Sequence, residues 1–192
     1  MKEQTRHLIE LAKAQHGVVA YRQLRALGVS RSSHQHSVSG GEWLRELPAV
    51  YRSCWAEVTW MQRAWTAWLW AGPTATLTHS TAAALCGFDL VEETVEVTAA
   101  NNLDPPVDWV RFHRRCPQRQ RPTKTVMIAG LRVTSPEDTL IDIASRLSDV
   151  ELARLLRQAI RHRAVSLSEM RRAVSDVSSR VSGVGRIRRL LE

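Results

Sequence analysis

No stretch of this 192-residue chain is apolar for long enough to span a bilayer, so a membrane protein is not expected. The first residues, MKEQTRHLIELAK, are amphipathic and lack the apolar core of a secretory signal. Cysteine is scarce. Cys54, Cys86 and Cys116 are odd in number and far apart, which argues against a disulfide frame and a zinc site. They read as reduced thiols of a cytoplasmic protein, each a small buried hydrophobe. No glycine-rich loop precedes a helix as a phosphate cradle would, and there is no internal repeat. Lysine is rare beside arginine, a bias that carries no functional weight here. A metal-dependent nuclease needs acids and a nearby lysine. Glu96-Val97-Thr98 has the strand without the lysine, and Lys124, Glu137 and Asp138 stand in the wrong order. The expectation is a protein with no catalytic residues, no metal and no cofactor.

Charge is present, and it is unevenly spread. The formal net charge is +8. Met1–Arg52 holds eight Lys/Arg against four Asp/Glu, and Ser53–Val110 one against seven. Arg111–Arg132 holds seven with no acid, and Val133–Glu192 eleven against eight. Basic blocks on either side of an acidic one favour contact with a polyanion from particular faces.

The stretch Val18–Arg52 carries the most specific pattern. Leu24 and Leu27 are spaced to share one helix face. Gly28 follows where the chain must turn, and Ser30 stands where an N-cap would open the next helix. That helix, Arg31–Ser39, reads RSSHQHSVS; Val38 is its single apolar residue and its expected packing contact. Trp43-Leu44-Arg45 and Ala49-Val50-Tyr51-Arg52 read as two arms of a wing around Glu46–Pro48. The pattern is that of a winged helix-turn-helix with Arg31–Ser39 as recognition helix. Candidate DNA-binding residues are Arg22, Ser30, Arg31, Ser32, Ser33, His34, Gln35, His36, Arg45 and Arg52. Helix-turn-helix shapes also occur in domains that never touch DNA, so a scaffold for protein contact stands as the other reading.

Thr5–Gln15 is expected to be the first helix of this domain, and Ser53–Thr59 the link to a second. The expected domains are therefore residues 1–53 and 54–192. Glu57–Ala71 is apolar enough for a helix buried on most sides; its tryptophans fit a core better than base stacking, since basic residues are not interleaved. Short strands are expected at Thr74–Thr78, Val95–Thr98 and Trp109–His113, with a hairpin at Met127–Thr134 turning on Ala129-Gly130. Ser80 or Thr81 should cap a small helix that Gly87 stops. Ser135-Pro136-Glu137-Asp138 is a helix start, and further helices follow at Val150–Arg161, Leu167–Val174 and Val184–Leu191. The fold class is α+β: a winged helix-turn-helix, then a mixed α/β domain ending in a helical bundle.

Two further sites stand out. Arg111, Arg114, Arg115, Arg119, Arg121 and Lys124 form a second basic patch, either a phosphate-contacting surface or a solvated one that offsets the acidic block Asp89–Glu96. His79-Ser80 is either a catalytic or toxin-directed pair, or a helix cap with a neighbouring histidine.

Taken together, HGVVAYRQLRALGVSRS at His16–Ser32, AVYR at Ala49–Arg52, AGPTATLTHSTAAALCGF at Ala71–Phe88, VEVT at Val95–Thr98, VRFHRR at Val110–Arg115 and LRVTSPEDTLIDIA at Leu131–Ala144 give a resemblance. The chain resembles AbiEi-family antitoxins of type IV toxin–antitoxin systems, in the form common in high-GC actinobacteria. The resemblance implies an N-terminal winged helix that represses its own operon by binding inverted repeats in double-stranded promoter DNA. It implies a C-terminal domain that counters a nucleotidyltransferase toxin without needing to touch it, in a phage-defence setting. It also implies a cytoplasmic protein, as a monomer or weak dimer, without the Vsr-like endonuclease domain that some relatives add. Pro48-Ala49-Val50-Tyr51 stands where such proteins often have Arg-Gly-Val-Tyr, and the recognition helix is less basic than is common. The remaining readings are a protein-interaction adaptor and the N-terminal part of a nuclease-associated protein.

Overall fold

The computed structural model of the protein describes residues 2–90, 93–100, 103–114 and 123–192. The chain is mixed α+β and divides into two compact units, Met1–Ala75 and Thr76–Glu192. Among the described residues no helix is long and apolar enough to cross a membrane.

The first unit runs α1 (Lys2–Ala14), β1 (Val18–Ala20), α2 (Tyr21–Ala26), α3 (Arg31–Ser39), β2 (Trp43–Leu47), β3 (Val50–Ser53) and α4 (Trp60–Ala71). Its strands form an antiparallel sheet in the order β1-β3-β2. Leu24 of α2 is buried with Ala12 and Val19, and Leu8, Leu11, Val29, Trp43 and Tyr51 pack around them. Gly28 takes a φ of 80° at the bend between α2 and α3, a conformation that disfavours any side chain. Ser30 then caps α3 by accepting a hydrogen bond from the Ser33 N–H at 3.0 Å. The β2–β3 turn falls on Pro48-Ala49 rather than Glu46–Pro48, with Ala49 at a φ of 59° and an irregularity in register between Arg45 and Leu47.

Three details differ from the sequence expectation. Helix α3 is anchored by His34, which is buried, while Val38 is only half-buried. A histidine ring has enough apolar surface to take that place. Cys54 is exposed rather than part of the core. The division between units falls at Ala75, later than 53, because α4 packs on all three strands of the first sheet. Ala64, Trp65, Ala67, Leu69 and Ala71 of α4 are buried, and the Trp68 indole donates to the Ala75 carbonyl at 3.0 Å. The tryptophan-rich segment is therefore core of the first unit.

The second unit contains β4 (Thr76–Leu77), α5 (His79–Leu85), β5 (Val95–Thr98), β6 (Val110–Phe112), β7 (Thr125–Ile128), β8 (Leu131–Thr134), α6 (Pro136–Ile143), α7 (Asp149–Arg161), α8 (Leu167–Ser175) and α9 (Val184–Leu190). Its sheet order is β6-β5-β4-β8-β7. The pairs β4–β8 and β5–β6 are parallel; β4–β5 and the β7–β8 hairpin are antiparallel. The helices enclose a core that includes Leu140, Ile141, Ile143, Leu152, Leu155, Met170 and Ile187. Helices α6, α7 and α8 begin on Ser135, Ser148 and Ser166, and each serine accepts a hydrogen bond from an N–H of the first turn. Helix α5 departs from this rule. Its N-cap is Thr78, whose side chain makes no capping bond, so neither Ser80 nor Thr81 is the cap. Both hydroxyls are used on β5 instead.

Candidate functional site

Helix α3 presents a continuous polar surface. Arg31, Ser32, Ser33, Gln35 and His36 are exposed, as is Arg45 on β2. Ser30 is exposed too, but its hydroxyl is occupied by the Ser33 N–H at 3.0 Å and lies 3.1 Å from the Ser32 hydroxyl.

Three candidate contact residues have other partners. His34 points inward, its ring 5.2 Å from that of Tyr21 and 4.3 Å from that of Tyr51, the latter edge-on. Its Nε2 makes no hydrogen bond, and burial pushes its pKa below the usual histidine range. Arg22 donates to the Leu69 carbonyl at 2.7 Å and ties α2 to the end of α4. Arg52 lies along the hairpin, 2.6 Å from the Glu46 carboxylate and 2.6 Å from the Ala56 carbonyl. Outward reach from α3 therefore belongs to Arg31, Ser32, Ser33, Gln35 and His36, while Arg22, His34 and Arg52 hold the scaffold.

The second unit contains a different polar centre, built on Glu96. This residue lies mid-strand on β5 between Val95 and Val97, and it is fully buried. The register places it beside Arg111 of β6. Oε2 of Glu96 accepts from the Ser80 backbone N–H at 2.8 Å and the Ser80 hydroxyl at 2.5 Å. Oε1 faces His113 Nε2 at 2.9 Å, Arg146 Nη1 at 2.5 Å and Arg111 Nη1 at 3.6 Å. The Glu96 N–H donates to the Thr81 hydroxyl at 2.8 Å. His79, at a φ of 52°, stacks on His113 with ring centroids 3.9 Å apart and planes 26° from parallel. Burial by itself would raise the carboxyl pKa. The bonds from His113, Ser80 and Arg146 outweigh burial and hold it well below the usual carboxylate range.

His79, Glu96 and His113 each offer a metal-ligand atom, all within 4.8 Å of one another. Linear spacing did not bring them together; the sheet does. A divalent cation would meet two guanidinium groups around the same carboxylate oxygen, and Arg146 already holds that oxygen at hydrogen-bond distance. The electrostatics oppose a cation there.

The second basic patch is only partly within the described residues; Arg115, Arg119 and Arg121, like Cys116, lie outside them. Arg114 and Lys124 are exposed. Arg111 faces Glu96, so part of the patch does offset the acidic block. The Lys124 backbone N–H donates to Asp138 at 2.6 Å. Cys86 is half-buried, and burial pushes its thiol up to about 11.

Residues 74–192 match the family profile described as the AbiEi antitoxin C-terminal domain. The chain belongs to the AbiEi antitoxin family. The antitoxin domain contains every residue of the Glu96 centre, from His79 to Arg146. No curated protein matches the chain. Among solved structures it is similar to the RV2827C protein from Mycobacterium tuberculosis, at 17% identity and a TM-score of 0.55, over 100% of this chain and 76% of that one. At that identity the likeness concerns the fold alone.

Sequence reasoning singled out His79-Ser80 as a pair and overlooked His113 and Arg146 as its companions. The alternating strand VEVT gave no sign that the Glu96 carboxylate would be buried.

Proposed function

We propose that this antitoxin is a DNA-binding autorepressor of a type IV toxin–antitoxin operon, whose second unit counters a nucleotidyltransferase toxin. Membership of the AbiEi family supports an antitoxin role, which implies a toxin partner in general. The more specific reading rests on the exposed polar face of α3. A helix fixed by His34 that turns Arg31, Ser32, Ser33, Gln35 and His36 to solvent suits the donors and acceptors of a major groove.

In this reading the elements from α1 to β3 act as a winged helix-turn-helix. Helix α3 is the recognition helix, and the β2–β3 hairpin with Arg45 is the wing. Arg31 and Gln35 are one helical turn apart, a spacing that lets both reach neighbouring base edges. Ser32 and Ser33 serve the phosphates beside the helix N-terminus. With few cations on this surface, binding should show a shallow salt dependence, roughly one unit of log–log slope per phosphate neutralised.

The test is a fluorescence-anisotropy titration of the operon's upstream DNA against a scrambled duplex. The wild type should prefer the upstream sequence, and Arg31→Ala with Gln35→Ala should bind both duplexes alike. If the wild type itself shows no preference, α3 is not a recognition helix. A stable complex with the toxin under those conditions would then favour the adaptor reading.

A further inference from the structure

We propose that the rim of the Glu96 centre, formed by Arg111 and Arg146 against the stacked His79–His113 pair, is a binding site for a phosphate-type oxyanion. The argument begins with the distribution of charge around one carboxylate. Oε2 is filled by the two Ser80 donors. Only Oε1 remains, and two guanidinium groups and an imidazole converge on it. One anionic charge therefore faces two permanent cations, and the surplus is positive.

A single arginine would be enough to neutralise the Glu96 carboxylate. Here Arg146 already satisfies Oε1 at 2.5 Å, while Arg111 stands off at 3.6 Å with its side chain 53% exposed. Each guanidinium has five N–H donors in a planar fork, and the bonds to Glu96 use only a minority of them. Arg111 is largely open to solvent, and Arg146, one-third exposed, also brings Nη2 to 3.4 Å from His113 Nε2. Arg146, held in place by the buried carboxylate, loses little side-chain freedom on binding an acceptor such as phosphate, and Arg111 adds a second cation beside it. His113 donates toward Glu96 through Nε2, which fixes its ring, and His79 stacks on that ring as a side wall.

Another basic recess of this unit lacks such an anchor. It is an open cavity of about 600 Å³ lined by Asp89, Arg154, Arg157, Gln158, Ile160 and Arg161. Its Arg154–Asp89 ion pair lies at the surface, with side chains 48% and 74% exposed. Among the described residues no buried carboxylate is paired with its arginines, so it serves as the control.

The experiment is a calorimetric and NMR titration of the full chain with inorganic phosphate, following the imidazole resonances of His79 and His113. Phosphate should bind saturably at one site and move both histidines. Arg111→Ala should weaken binding about tenfold, the loss of roughly one charge-assisted contact. Arg111 is an exposed residue of the edge strand β6, so this variant is expected to fold, and an unchanged melting temperature would confirm it. Arg146→Lys should weaken binding similarly, whereas Arg157→Ala should not. The Arg31→Ala, Gln35→Ala variant should bind phosphate like the wild type, which separates this site from the DNA reading. Phenyl phosphate distinguishes the source: tighter binding than inorganic phosphate points to an ester, equal binding to the free ion. No saturable shift with phosphate, or binding that Arg111→Ala leaves unchanged, would overturn the proposal. So would saturation of the same two histidines by Zn²⁺ with phosphate inert.

Discussion

Helix α3 and the Glu96 centre both collect polar side chains, but they place them on opposite sides of the solvent boundary. On α3 the polar groups face water and a single residue, His34, is driven inward. Around Glu96 the charge itself is buried and the cations stand at the rim. The first arrangement costs little folding energy and leaves donors and acceptors available to a partner. The second removes a carboxylate from water and is tolerable only because Ser80, His113 and Arg146 replace the lost hydration. Exposed polar groups can therefore be exchanged with little effect on stability, whereas the buried carboxylate is coupled to folding.

The sharpest way to break that contrast is to remove the buried charge. Glu96→Ala strands the Ser80 donors and leaves Arg146 and His113 without their anion, and should destabilise the second unit by about 3–5 kcal/mol. Chemical denaturation of the two variants Glu96→Ala and Glu96→Gln measures this, with the amide losing less because it keeps the shape. The pH response has a defined sign. Because the folded carboxyl pKa lies below its ordinary value of 4.5, its contribution is fully present above about 4.5 and is lost as pH falls through the folded value. Glu96→Gln should abolish that acid sensitivity. If Glu96→Ala costs less than an ordinary surface substitution, the bonding around Glu96 is not coupled to folding.

The contrast also explains what was legible in the sequence. Local signals placed most elements: Gly28 and Ser30 at the bend before α3, Ala129-Gly130 in the β7–β8 turn, and Ser135-Pro136 at the start of α6. These depend on backbone chemistry within a few residues. The exposed face of α3 was readable because its polarity is continuous along the chain. The Glu96 centre was not, since it is assembled from the start of α5, the middle of β5, the residue after β6 and the segment after α6. Strand order alone brings His79 against His113, and no spacing rule encodes strand order. The alternation of VEVT suggests a solvent-facing glutamate, but α5 packs on β5 and its Ser80 and Thr81 bond Glu96, so Glu96 is covered. His34 misled for the opposite reason: a polar residue in a polar helix filled the one inward position.

A smaller effect is expected at His34, which separates anchoring from reading. His34→Ala removes a ring packed on Tyr21 and Tyr51 and should cost about 1–2 kcal/mol. Burial lowers the folded pKa of His34 below 6.5, so the unfolded chain takes up the proton first. Its contribution is intact above about 6.5 and declines as pH falls through the folded value. This loss begins at a higher pH than the one governed by Glu96. A thermal-melt series should show the first unit weakening in mild acid and His34→Phe flattening the change. An unchanged pH profile in His34→Phe would mean that the ring is not the group responsible.

Smaller again is the cap of α3. Ser30→Ala should cost about 1 kcal/mol through loss of the bond from the Ser33 N–H. Ser30→Asp keeps a capping oxygen and should restore most of that stability. If the residue lies beside a phosphate, the aspartate should nevertheless weaken DNA binding by like-charge repulsion. Restoring both stability and binding would place Ser30 in the scaffold and away from the DNA.

The least stability change is expected where the functional change is greatest. Gln35 is exposed on α3 and packs into no core, so Gln35→Ala should alter the melting free energy by no more than about 0.5 kcal/mol. If Gln35 reads a base edge, the same substitution should remove about 1–3 kcal/mol of sequence discrimination while leaving affinity for random duplex nearly unchanged. Paired titrations on upstream and scrambled DNA separate the two quantities. Equal losses on both duplexes would make Gln35 a backbone contact. No loss on either would move the reading surface away from this helix face, toward Arg45 and the hairpin.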